Sequence, residues 1–186
     1  MDVSKQRVDL ELWLVRHGET TFSAKMTVAG WTEAPLSPTG EEEARALAPL
    51  LAGQTFAGVW SSDLGRALTT ARLAWGEPKT DPRLREMDFG DLEGKRWSDL
   101  APGMGEGIFG FRDFRAPGGE SVAEVRERVL TFVTELPAGR HLVFTHGGAI
   151  RVLTRDLGLD RFVGTAAVVV LDWPAQRVVR LEEPRQ

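Results

Sequence analysis

Leu10, Leu12 and Leu14 alternate with Glu11, Trp13 and Val15, a period of two that predicts a strand ending at Arg16. A loop follows, RHGETTF (16–22). Ser37-Pro38 ahead of EEEARALAPLLAG (41–53) reads as an N-cap with proline at the first helical position, and Pro49 should kink or end that helix early. Residues 56–60 form a short apolar strand leading into Ser61-Ser62-Asp63, which should cap a helix over LGRALTTARLAW (64–75). Residues 77–119 are rich in Gly, Pro and Phe and lack a clean period, which predicts a loop-rich, lid-like excursion with short helices. From Glu120 the helical period returns, with Val122, Val125, Val129, Phe132, Val133 and Leu136 on one face. Leu142, Val143 and Phe144 make a buried strand, followed by His146-Gly147-Gly148 and a helix through Leu157. Residues 166–172 and 177–181 flank Trp-Pro-Ala-Gln as a terminal hairpin.

Strands alternating with helices predict an α/β protein: a three-layer α/β/α sandwich with a mostly parallel central sheet. Its 186 residues, 42% of them hydrophobic, suit one domain over 1–186 with a core that needs no staples. There is no cysteine, which excludes a thiolate nucleophile, a disulfide framework, a thiolate zinc cluster and an iron–sulfur centre. A net charge of -4 and a pI near 5.5 argue against nucleic acid as a partner. The longest apolar runs are too short for a membrane span, and residues 1–12 carry charges where a signal peptide has its apolar core, so a cytoplasmic protein is expected. Arginine supplies 19 of the 23 basic residues, and its planar fork suits bidentate recognition of oxyanions.

Three segments place special residues just after strands: Arg16-His17, Arg66 and His146. In open α/β sheets the crevice outside the carboxyl ends of the strands is where ligands bind, so these segments should deliver imidazole and guanidinium groups to one place. Alone, His17 could equally satisfy a turn, and Arg66 reads as a surface arginine lying along its helix. Together, two histidines and two arginines make a pocket for a tetrahedral oxyanion, in which one imidazole nitrogen can attack phosphorus in line. His141 begins its strand at the opposite end of the sheet and is the bystander. A leaving alkoxide also needs a proton, and the segment 84–91 offers Glu86, Asp88 and Asp91 beside apolar neighbours; spacing does not choose among them.

Six blocks carry a resemblance: LVRHGET (14–20), GWTEAPLSPTG (30–40), SSDLGRALTTA (61–71), LREMDFGDLEG (84–94), PGGES (117–121) and FTHGGAIRVL (144–153). In this order they resemble the histidine phosphatase superfamily, the phosphoglycerate-mutase-like proteins. The resemblance implies that fold, a phosphorylated nucleophile at His17, phosphate-pocket arginines at Arg16 and Arg66, a second histidine at His146 and a proton donor at Glu86. Gly30 and Gly147 join the phosphate-binding set by the same resemblance. It implies no metal and no cofactor. Where many members have asparagine seven residues after the first arginine, this chain has Ser23, whose shorter reach puts a phosphate contact in question.

The short chain and the block EMDFGDLEG (86–94) look like the phosphatase branch, and PGGES with a late D-W-P is similar to α-ribazole-5′-phosphate phosphatases of cobalamin assembly. Broad-specificity sugar or nucleotide phosphatases, a phosphoglycerate mutase and a non-catalytic phosphate-binding module are the competing readings. The expected partner is a small-molecule phosphate ester, and the terminal strand pair offers an edge for a homodimer. Specificity is expected from residues 93–118, where Trp97, Phe109, Phe111 and Phe114, with Arg96, Arg112 and Arg115, would cover the leaving group or simply pack the lid.

Overall fold

The computed structural model describes residues 10–183. The reading of residues 1–12 as a charged segment therefore lies, for residues 1–9, outside the described residues. The strands are β1 (Leu10–Arg16), β2 (Gly58–Ser61), β3 (Lys79–Thr80), β4 (Gly139–Thr145), β5 (Val168–Asp172) and β6 (Arg177–Glu182). The helices are α1 (Pro38–Ala46), α2 (Ala48–Leu51), α3 (Gly65–Ala74), α4 (Met104–Gly110), α5 (Val122–Thr134) and α6 (Gly147–Thr154). The strands form one sheet in the order β3-β2-β4-β1-β5-β6. Pairs β2–β3, β2–β4 and β1–β4 are parallel, whereas β5 and β6 add as an antiparallel margin.

Both faces of the sheet are covered, so the period of two in β1 sorts two apolar sets. Leu10, Leu12 and Leu14 join Val143, Val169 and Leu171 under α5 and α6, with Val125, Val129, Phe132 and Ile150 as their partners. Trp13 and Val15 join Leu142, Phe144, Val168 and Val170 under α1, α2 and α3, against Leu47, Leu51 and Ala71. This is the expected three-layer α/β/α sandwich. Each fully buried aliphatic or aromatic side chain contributes roughly 1.5–3 kcal/mol of hydrophobic stabilisation, which makes this double burial the main source of the sheet's rigidity.

Local signals explain most element ends. Ser37 Oγ accepts the Gly40 N–H at 3.0 Å and Pro38 takes the first helical position. The helix breaks at Leu47, since Pro49 lacks the N–H that Arg45 would receive. Ser121 and Glu124 form a reciprocal capping box at the start of α5.

Several boundaries differ from expectation, among them the start of β5 at Val168 in place of residue 166. The second strand begins at Gly58, and Phe56 packs instead as a loop residue against Trp13. The last buried helix ends at Thr154, and residues 155–157 tighten into a 3-10 turn. The start of α3 has no side-chain cap, because the N-cap position is Leu64. Ser62 Oγ accepts the Leu64 N–H, and the Gly65 N–H donates at 3.3 Å to the distant carboxylate of Glu33.

The stretch 77–119 is irregular as expected, with β3, three 3-10 turns and α4. Its far end is tied down, because Arg151 donates to the carbonyls of Phe109 and Gly110 and Arg155 to that of Phe111. These arginines satisfy carbonyls at the C-terminal end of α4 that have no intrahelical partner. Among the described residues no helix is long and apolar enough to cross a membrane.

Candidate active site

Strands β2, β4 and β1 are neighbours, run parallel and end on the same edge of the sheet. Arg16 is the last residue of β1 and pairs with Thr145, the last of β4. The His17 N–H donates to the Thr145 carbonyl at 3.1 Å, which sets the two strand ends side by side. The rings of His17 and His146 consequently meet edge to face, with centroids 5.0 Å apart. Arg66, on the first turn of α3 after β2, completes the group.

His17 is buried, and its Nδ1 lies 2.8 Å from the Gly18 carbonyl oxygen. A carbonyl only accepts, so Nδ1 carries the proton, and in the neutral ring Nε2 keeps its lone pair. Burial, then the charges of Arg66 and Arg16, hold the His17 pKa well below the ordinary 6.5. His146 is pushed down in the same direction, first by burial and then by Arg66 and His17. Both imidazoles are therefore neutral at neutral pH, with the nearby positive charge supplied by the arginines.

Arg16 donates to the Val163 carbonyl, and Arg66 to the carbonyls of Gly30 (2.5 Å) and Thr32 (3.2 Å). These bonds aim the guanidinium planes without neutralising them, since carbonyls carry no net charge. The Nε of each, and both ring nitrogens of His146, are buried without a partner among the described residues. His146 caps the N-terminus of α6 but makes no side-chain capping bond, leaving amide dipoles aimed at the same place. An anion with several acceptor oxygens is the group that such unspent donors suit.

Arg16, His17, Arg66 and Glu86 line one cavity of about 280 Å3, and His146, in contact with the His17 ring, is not among its lining residues. Of the three carboxylates that spacing left open, only Glu86 reaches this cavity. Its Oε1 accepts the Met87 N–H at 2.9 Å and its Oε2 the Gly148 N–H at 3.1 Å. Asp88 instead accepts the Gly90 N–H within its own turn, and Asp91 lies against Gly118.

Gly30, Gly147 and Ser23 also line the cavity. Gly30, at φ +55°, presents its carbonyl to Arg66, while a Cβ on Gly147 would meet the Phe162 ring at 3.1 Å, with the Arg16 guanidinium next at ordinary contact distance. The Ser23 hydroxyl is engaged with Thr20, accepting the Thr20 N–H at 2.8 Å and donating to the Thr20 carbonyl at 3.1 Å. Its donor is committed to that turn. His141, the expected bystander, is the third residue of β4; it donates from Nε2 to the Pro137 carbonyl and accepts at Nδ1 from Trp60.

The expected specificity set is only partly assembled. Trp97 and Phe109 stack at 5.0 Å and line the cavity mouth. Phe111 is buried against Phe162, and Phe114 packs on Gly107. Arg112 and Arg115 turn away to pair with Asp160 and Glu124, and Arg96 does not line the cavity. Ion pairs decide this for Arg112 and Arg115, since each of these guanidiniums finds a carboxylate partner away from the cavity. In their place Met26, Val28, Phe89, Ile108 and Phe162 complete an apolar wall.

Sequence reasoning also missed Glu93, whose carboxylate accepts the N–H groups of Trp31, Thr32 and Phe89 and so pins the loop that holds Arg66. The bond to Phe89 is local, but nothing near Glu93 signals the two to Trp31 and Thr32, which lie 62 and 61 residues away in the chain. Among the described residues no three His, Asp or Glu side chains gather as a metal site would require.

Comparisons with known proteins agree with this geometry. Residues 12–181 match the histidine phosphatase superfamily (branch 1). A protein of Yersinia enterocolitica named "Probable phosphoglycerate mutase GpmB" is 38% identical over 160 residues, covering 80% of this chain and 74% of the relative. The crystal structure of phosphoglycerate mutase from Thermus thermophilus is 43% identical, with a TM-score of 0.87 over 94% of this chain and 99% of that one. The crystal structure of "a putative alpha-ribazole-5'-P phosphatase" from Escherichia coli K-12 is 28% identical, with a TM-score of 0.78 over 94% and 95% of the two chains. With the family match spanning nearly the whole chain and the matched structures sharing its sheet and layers, this chain belongs to the histidine phosphatase superfamily, branch 1, whose members are catalytic.

Proposed function

We propose that this protein is a metal-independent phosphomonoesterase that works through a phosphohistidine at His17. The observation that carries the reading is the Nδ1 bond of His17 to the Gly18 carbonyl, which leaves Nε2 as a neutral nucleophile between two cationic guanidiniums. Nε2 attacks phosphorus and the bond from phosphorus to the ester oxygen breaks. Arg16 and Arg66 stabilise the charge on the equatorial oxygens. The Glu86 carboxyl gives its proton to the leaving oxygen, and the alcohol departs. Water then attacks phosphorus, Glu86 takes its proton, the phosphorus–nitrogen bond breaks and inorganic phosphate leaves with Nε2 restored.

The cavity wall favours hydrolysis of an apolar or aromatic ester. Arg16 and Arg66 are the only Lys or Arg side chains among its lining residues, and both stand at the phosphate end. Away from that end, Met26, Val28, Ala29, Phe89, Trp97, Ile108, Phe109 and Phe162 supply the apolar part of the wall, beside Thr20, Ser23 and Thr27. A second anion, such as the carboxylate of a phosphoglycerate, would be desolvated there without a cation, whereas an aromatic alcohol would bury its ring. An α-ribazole 5′-phosphate, the ester for which the Escherichia coli protein is named, is an alkyl ester of a sugar hydroxyl that carries an aromatic base for such a wall to bury. The relatives named as phosphoglycerate mutases favour the second reading, phosphoryl transfer between hydroxyls of one substrate.

A phosphate-release screen separates the two. It should span aryl phosphates, α-ribazole phosphate, phosphoglycerates, sugar phosphates and nucleotides, with and without chelator. Release should be fastest from aromatic esters and unaffected by the chelator. Interconversion of phosphoglycerates without phosphate release would establish the mutase, and strict dependence on a divalent cation would overturn both.

A further inference from the structure

We infer that Arg128, which lies outside the cavity on α5, is a positioning residue for the proton donor Glu86; the inference rests on the role proposed for Glu86 above. All five N–H donors of its guanidinium are engaged. One N–H pair goes to the carbonyls of Arg83 (2.8 Å) and Arg85 (2.7 Å). The other terminal nitrogen reaches the Glu86 carbonyl (2.8 Å) and Glu120 Oε2 (2.9 Å), and Nε reaches Glu120 Oε1 (2.8 Å). Three bonds thus fall on the main chain of the acid-bearing segment and two on a carboxylate.

Glu120 extends the same grip. Its Oε2 also accepts the Asp88 N–H at 2.9 Å, and its own N–H donates to the Asp88 carbonyl at 2.9 Å. The acid segment is therefore held on both sides of Glu86, at residues 83, 85, 86 and 88. From above, Trp31 Nε1 donates to the Glu86 carbonyl at 2.7 Å. The Arg128 and Glu120 side chains are only 16% and 17% exposed, so solvent competes little for these bonds. The segment contributes no helix or strand of its own at residues 85–89, which leaves the guanidinium as its template.

This geometry requires arginine. Lysine would keep the charge but offers three donors on a flexible stem with no planar fork, so at least two of the five bonds are lost. The charge of Arg128 is also felt at His146, among the lesser causes of its lowered pKa, and a lysine in its place preserves most of that influence while loosening the acid.

The test compares Arg128→Lys and Glu120→Gln with Glu86→Gln on esters whose leaving alcohols span a wide range of acidity, from 4-nitrophenyl phosphate to an alkyl phosphate. A good leaving group needs little protonation, whereas an alkoxide needs it fully. Glu86→Gln should lose on the order of 10²–10⁴-fold in kcat/KM, which reports phosphorylation of His17 and not the later hydrolysis common to all esters, on the alkyl ester and far less on the nitrophenyl ester. Arg128→Lys should show the same steepening at smaller size, on the order of 10-fold or more on the alkyl ester, with inhibition by inorganic phosphate unchanged. Glu120→Gln keeps the size of the side chain and one acceptor oxygen but sets an NH2 donor where the second oxygen accepted, so it loosens the same grip; it too should steepen the dependence, which guards against a lysine variant that folds poorly. If Glu86→Gln steepens the dependence while both other variants lose activity equally on every ester, or lose none, the role given to Arg128 is wrong. If Glu86→Gln itself fails to steepen it, the role of Glu86 fails first.

Discussion

The Gly148 N–H donates to Oε2 of Glu86 at 3.1 Å, and Oε1 of the same carboxylate stands well inside contact distance of the point where a Gly148 side chain would begin. The acid and the first turn of α6 are thus fitted to each other through the absence of a single carbon. A Cβ there would also meet the Phe111 ring at 2.8 Å, so neither neighbour offers room. Gly148→Ala is expected to displace the carboxylate, lowering kcat by about 10²-fold on alkyl esters and stability by about 1–3 kcal/mol through overpacking. Steady-state kinetics with denaturant unfolding checks both, and an alanine variant of unaltered activity would show that Glu86 needs no such fit.

Removing the proposed nucleophile gives the most direct test of the reaction. His17→Ala should lower turnover at least ~10³-fold. The unaltered protein, quenched during turnover of a labelled phosphomonoester, should retain phosphate in a form stable to base and released by acid. Label recovered on a serine or aspartate, or none recovered while His17→Ala stays active, would remove the phosphohistidine route.

Stability should fall as the pH drops below neutrality. His17 and His146 are both held well below 6.5 in the folded protein, so from 6.5 downward the unfolded chain binds protons that the native state does not. The native state binds fewer protons in that window, and stability then rises with pH. The loss on acidification approaches about 1.4 kcal/mol per histidine for each pH unit. It ceases below the folded pKa of each ring. Thermal unfolding between pH 7.5 and 5.5 in the absence of phosphate should show the decline, and a His17→Gln, His146→Gln double variant should flatten it; an equally steep decline in that variant would assign the effect elsewhere.

The Trp97–Phe109 stack at the cavity mouth should read the leaving group. Trp97→Ala or Phe109→Ala is expected to raise KM for an aryl ester by roughly 10-fold, from about 1–1.5 kcal/mol of aromatic contact, and to leave a small aliphatic ester nearly unaffected. Equal losses on both esters would make the pair a packing element only.

Much of the fold and part of the site is legible along the chain. The bounds of β1, the proline break after α1 and the capped start of α5 depend on residues within a few positions of one another. The start of α3 misled for the opposite reason: its amide is met by Glu33, from another loop. His17 and His146 were found because strand ends are visible as the points where an apolar run stops at a glycine. Glu93 and Arg128 left no such mark, being one acidic residue beside a glycine and one arginine on the polar face of a helix.

Sequence by itself determined the elements, their alternation and the two strand-end histidines, because hydrophobic period, caps and breakers act over one or two turns of backbone. Spacing left Glu86, Asp88 and Asp91 open and the resemblance implied Glu86, the one of the three on the cavity wall; only the tertiary structure decided that the Ser23 hydroxyl is tied to Thr20 and that Arg112 and Arg115 leave the cavity to apolar side chains. Those outcomes turn on which partner a polar group meets after folding. A carboxylate or guanidinium bonds to whatever the packed chain brings within about 3 Å, whether a neighbour, as Thr20 is to Ser23, or a group tens of residues away, as Gly148 is to Glu86 and Asp160 to Arg112.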